Sequence, residues 1–121
     1  MASEDELAAF IRQAIPSVWA LEVLLLLRRE ERLWAEDQLV TELRASQTAV
    51  RNALGRLAAR ELILGGDNHQ WRYAPASPVL DGLVEALQAA YRERPVAVIN
   101  IISKPDPLQS LADAFKFRGG E

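Results

Sequence analysis

Between positions 44 and 60 the chain carries four arginines, Arg44, Arg51, Arg56 and Arg60, and no acidic residue. Gln47, Thr48 and Asn52 are interleaved with them. These side chains form a donor set suited to nucleic acid. A guanidinium can pair with both acceptors of guanine, an amide can pair with adenine, and a threonine methyl can touch the methyl of thymine. On a helix turning about 100° per residue, Val50, Ala53, Leu54 and Leu57 share one apolar sector that must face a core. Thr48, Asn52, Gly55 and Ala59 take the opposite sector, with Arg51 and Arg56 on its two flanks. A glycine inside a helix costs about 0.8–1.0 kcal/mol relative to alanine, so Gly55 on the outer face suits close approach by a partner. The competing reading of the same residues is a solvated face, with pairs such as Arg60 to nearby acids, or a face that meets protein.

The surrounding segments supply the elements needed to hold such a helix. Glu36 and Asp37 begin a short helix with the acids its dipole favours, and Leu39, Val40 and Leu43 are its apolar face. Arg44, Ala45 and Ser46 make the turn, and Ser46 is an N-cap for a helix over residues 47–61. Leu62-Ile63-Leu64 and Trp71-Arg72-Tyr73 flank Gly65, Gly66, Asp67 and Asn68, which is a hairpin signal. Leu33, Trp34 and Ala35 form a short apolar link ahead of the first of these helices. Upstream, Ser3 and Glu6 resemble a capping box, followed by Leu7, Ala8, Phe10, Ile11 and Ile15 at helical spacing. Pro16 breaks that helix and Ser17 caps the next, which is apolar nearly all round apart from Glu22 and therefore central. Downstream, Ser77-Pro78 starts a helix with Leu80, Leu83, Val84, Leu87 and Tyr91 on one stripe. Residues 95–103 are rich in β-branched side chains, yet their place between helices predicts a short buried helix. Asp106-Pro107 predicts a last helix with Leu108, Leu111, Ala112 and Phe115 on one face.

Helix, turn, arginine-bearing helix, hairpin: this order, carried by Ser46-Gln-Thr-Ala-Val-Arg-Asn-Ala-Leu-Gly-Arg-Leu, Leu62-Ile-Leu and Trp71-Arg-Tyr, resembles the winged helix-turn-helix superfamily of bacterial transcription regulators. The likeness is broadly to its MarR and PadR-like groups and covers roughly residues 17–75. It implies a mostly α fold with a small β-hairpin, a winged helix-turn-helix with additional N- and C-terminal helices. The expected divisions are an N-terminal helix over 1–16, the winged domain over 17–76 and a helical extension over 77–121 that packs on the same domain or on a dimer partner. The resemblance also implies a homodimer built from terminal helices, with helix 47–61 in the major groove of double-stranded DNA. Gln47, Thr48, Arg51, Asn52 and Arg56 would then read or position DNA, while Arg44, His69 and Arg72 would meet phosphate from the turn and wing. The wing departs from the pattern, having no lysine or arginine at its tip. The apolar stripes on helices 5–15, 78–93 and 107–117 exceed the needs of a core of about sixty residues, which independently favours self-association.

The remaining composition narrows the function classes. The 121 residues are 50% apolar and 26% charged, a globular balance. The net charge is −3, so binding through bulk charge is not expected and any DNA contact must be local. The absence of cysteine excludes disulfides and zinc-thiolate sites. The acidic start and the short apolar runs predict a cytoplasmic protein without a membrane segment. His69, the only histidine, reads as a wing residue rather than a ligand or base, and Gly65-Gly66 lacks the lysine of a phosphate loop. The expectation is a non-enzyme without cofactor or metal. Trp19, Trp34 and Trp71 read as core or strand-packing aromatics. The rival function is a winged protein–protein adaptor that engages a regulator or the transcription machinery without contacting DNA.

Overall fold

Pro16 turns the chain through 107° between α1 (Glu4–Ala14) and α2 (Val18–Arg29). Proline has no N–H to continue the first helix, and Ser17 opens the second by accepting from the Ala20 N–H at 3.1 Å. The computed structural model describes residues 4–66 and 69–103. The expected capping residue Ser3, the hairpin tip at Asp67-Asn68 and the helix predicted over 107–117 lie outside the described residues.

After α2 come β1 (Trp34–Ala35), α3 (Glu36–Leu43), α4 (Gln47–Ala59), β2 (Ile63–Gly65), β3 (Gln70–Tyr73), α5 (Pro78–Glu93) and α6 (Pro95–Ser103). The strands form one antiparallel sheet in the order β1-β3-β2. Trp34 pairs with Trp71, and Gly65 pairs with Trp71 on the other side. A Cβ at Gly65 would lie 3.1 Å from the Trp71 ring, so glycine is what lets the indole lie flat across the hairpin. The fold is a mostly helical winged helix-turn-helix with added helices at both ends. Residues 95–103 are helical despite their β-branched content, because Val98 is buried and the helix packs on α1 and α5.

Leu21, Val23, Leu24 and Leu27 of α2 sit at the centre, and no polar or charged side chain among the described residues is buried with them. Around α2 pack α4, α3 and the sheet, while α1, α5 and α6 close the other side. Phe10, Ile11, Ala14 and Ile15 of α1 and Val84 and Leu87 of α5 are buried within this one chain. The apolar stripes of α1 and α5 thus contribute to the core of this same chain, one of the two destinations expected for them. Trp34 is buried as expected, with Arg32 stacked 3.5 Å over its ring. Trp19 is not a core residue. It is 39% exposed, and because α2 is apolar on nearly every face, helical periodicity could not assign it a side.

A polar cluster fastens the hairpin to the helices behind it. The Tyr73 hydroxyl donates to Asp81 Oδ1 at 2.6 Å, Arg28 Nη1 donates to Gln88 Oε1, and the Arg28 guanidinium lies 5.9 Å over the Tyr73 ring. Burial, and then the hydrogen bond to the Asp81 carboxylate, hold the Tyr73 phenol above its ordinary value of 10.0. Burial and a hydrogen bond to Glu22 push Tyr91, the other tyrosine, in the same direction. The folded chain therefore binds these protons more tightly than the unfolded chain. The resulting stabilisation is complete below the ordinary phenol value and is lost as pH rises through the raised folded values. In an alkaline titration followed by phenolate absorbance, little tyrosinate should form before unfolding begins, and Tyr73→Phe should flatten the loss of stability with pH.

Candidate nucleic-acid interface

The turn between α3 and α4 is built from local chemistry. Arg44 closes α3 in a left-handed conformation, φ 55°, and the Ala45 N–H donates to the Val40 carbonyl at 3.2 Å. Ser46 then opens α4 by accepting from the Ala49 N–H at 3.0 Å. Loss of that cap in Ser46→Ala should lower stability by about 1 kcal/mol, measured as a shift of the urea midpoint.

Once started, α4 divides as its periodicity predicts. Val50, Ala53, Leu54 and Leu57 are buried, whereas Thr48, Arg51, Asn52, Gly55, Arg56 and Ala59 are exposed. Nothing lies within 4 Å of a Cβ placed on Gly55, so the middle of the outer face is open. Arg44 is exposed in the turn before the helix, and Gln47 and Thr48 are exposed in its first turn.

Two grooves border this face. The first, of about 620 Å³, separates α4 from the α1–α2 corner and is lined by Ser17, Trp19, Asn52, Gly55, Arg51 and Arg56. Its only charged side chains are the two arginines. The second, of about 580 Å³, lies toward α3 and the hairpin and is lined by Glu36, Asp37, Gln47, Arg51 and His69 among others. Arginine is thus unopposed on the α2 side, and acids are concentrated on the wing side.

Arg51 borders both grooves but is not free. Its Nε donates to Glu36 Oε1 at 3.0 Å and its Nη2 to Glu36 Oε2 at 3.3 Å. Glu36 opens α3, so the acid expected to serve the helix dipole also grips one of the two arginines that flank the outer face. The hydrogen bond from Arg51 holds the Glu36 carboxyl below the usual carboxylate range, against the opposing effect of burial.

The eight sequence-predicted residues do not form one cluster. Gln47, Arg51 and His69 converge on the wing-side groove, and Asn52 and Arg56 join Arg51 on the α2 side. Arg72 lies apart from both. Successive strand residues point to opposite faces, and with Trp71 turned toward α4, Arg72 lines a separate cleft of about 500 Å³ with Glu31, Arg32 and Asp81. His69 holds a left-handed backbone, φ 56°, and is exposed at the hairpin end. Sequence analysis missed Trp19 and Glu36 as members of this surface. Neither had a local signal: Trp19 sits on an all-apolar helix, and Glu36 is fifteen residues from its partner.

No group of three or more histidine, aspartate or glutamate side chains among the described residues could hold a metal ion. No single described helix is long and apolar enough to cross a membrane.

The backbone is similar to that of Bordetella bronchiseptica BpsR, a protein whose DNA binding is regulated by 6-hydroxynicotinic acid. The TM-score is 0.55 at 19% sequence identity, over 97% of this chain and 87% of that one. At that identity the likeness is one of fold. No protein-family model matches the chain, and no curated protein matches it.

Proposed function

We propose that this chain is a sequence-specific, non-catalytic DNA-binding transcription regulator of the winged-helix, MarR/PadR-like kind, acting in the cytoplasm as a homodimer. The winged unit is 17–76, with the segments 1–16 and 77–121 added on either side. The observation that carries the reading is the outer face of α4, exposed along its length, free of acids and bordered on the α2 side by a groove whose charges are Arg51 and Arg56 alone. A helix so presented can enter a major groove while one phosphate strand runs beside Trp19 and Arg56. Gln47, Thr48, Arg51 and Asn52 face the bases, Arg44 and Arg56 face phosphate, and His69 and Arg72 make at most outlying backbone contacts. The shared fold of BpsR, whose DNA binding is regulated, supports the same reading. Because the α1 stripe is used internally, self-association falls to the α5–α6 side, where Val79 and Val96 are 72% and 69% exposed.

The adaptor reading draws on one feature, the acids Glu36 and Asp37 on the wing side of α4, which oppose phosphate there. Selection from a random duplex pool at low and physiological salt separates the two. Enrichment of a palindromic motif supports the regulator; retention of no duplex at any salt sinks it and leaves the adaptor.

A further inference from the structure

A guanidinium has five N–H donors, and which of them Glu36 occupies determines what Arg51 can still do. The contacts use Nε and Nη2, the side edge of the group. The end-on fork, formed by one Nη1 hydrogen and the second Nη2 hydrogen, remains open. That fork presents two parallel N–H donors that can pair with O6 and N7 of guanine. Exposure is also unequal: the Glu36 side chain is 20% exposed and the Arg51 side chain 67%. The acid is set into the protein on the first turn of α3, and the arginine projects from it.

Resting on the DNA-binding reading above, we infer that Glu36 is a positioning residue that fixes Arg51 so that its free fork reads one guanine. The acid covers the side edge and leaves the end-on fork available to a base. Holding the long side chain in place before DNA arrives removes part of the ordering cost of the contact. It also fixes the plane of the guanidinium, on which bidentate recognition depends. Asp37 is adjacent, exposed and on the same groove, and it takes no part in the bidentate pair. It therefore provides a charge-matched control.

The test uses the full chain and the best duplex from the random pool, compared with duplexes in which each guanine is replaced in turn. Wild-type protein should discriminate at one guanine, and Arg51→Lys, which keeps the charge but not the fork, should abolish that discrimination. Glu36→Gln should lower it about tenfold, while Asp37→Asn leaves it unchanged. The double variant Glu36→Gln/Arg51→Lys should lose no more than Arg51→Lys alone. Tighter binding of Glu36→Gln to every duplex with discrimination intact would overturn the inference, because the acid would then be only a competitor of phosphate. Equal losses in Glu36→Gln and Asp37→Asn would overturn it as well. Should Glu36→Gln fail to fold in a thermal melt, Arg51→Lys decides alone, and undiminished discrimination there refutes the proposal. A wild-type protein without sequence preference sinks the DNA reading itself, an outcome visible before any variant is made.

Discussion

Leu57→Ala lowers the free energy of unfolding by about 2–5 kcal/mol, the range for removing a fully buried leucine where the surroundings close only partly over the space. Leu57 has no exposed surface and lies on the inner face of α4, in the layer where that helix packs on α2. The Leu57 carbonyl also accepts from the Leu62 N–H at 3.2 Å, so the residue stands where the helix passes into the hairpin. Total stabilities of single domains are about 5–15 kcal/mol, so a loss of this size consumes a large part of the reserve. Urea denaturation checks it: the midpoint should fall with the slope unchanged. An effect below about 1 kcal/mol would mean that α4 is loosely held. A loosely held helix could not present side chains with the precision that base reading needs.

The complementary substitution lies on the other face of the same helix. Arg51→Ala combined with Arg56→Ala should leave duplex binding at least about tenfold weaker, enough to abolish retention at physiological salt. The dependence of affinity on salt should also flatten by about one unit for each phosphate contact removed. The two arginines should separate. Loss of a phosphate-bound Arg56 weakens all sequences alike, whereas loss of Arg51 erases preference at one position. Arg56 is exposed, so Arg56→Ala should change stability by no more than about 0.5 kcal/mol. Taken with Leu57→Ala, the result distinguishes a binding surface from a structural one. Unchanged DNA retention in the double variant would assign the outer face to a protein partner.

Much of the local architecture was legible in the residues. Ser17, Ser46 and Ser77 each cap the helix they precede, Pro16 divides α1 from α2, and the inner and outer faces of α4 follow from its periodicity. The β2–β3 hairpin was equally readable, because its strands are joined by a short turn, whereas the pairing of Trp34 with Trp71 joins residues far apart in the chain and came only from the tertiary structure. The helical state of residues 95–103 came from context, since their side chains alone favour strand.

By itself, then, the sequence determined which residues fold into helices and hairpin and which face of each is apolar, since caps, proline breaks and 3.6-residue periodicity act within a few positions. Only the tertiary structure decided what those faces meet. It packed apolar residues of α1 and α5 into the core of the same chain, turned Trp19 outward beside Arg56, and set Arg72 on the far side of the hairpin. It also brought Glu36 onto Arg51, a pairing across fifteen residues that no spacing rule encodes. The physical reason is the same in each case: an amphipathic pattern encodes that a surface must be covered, and the three-dimensional packing of distant elements selects what covers it.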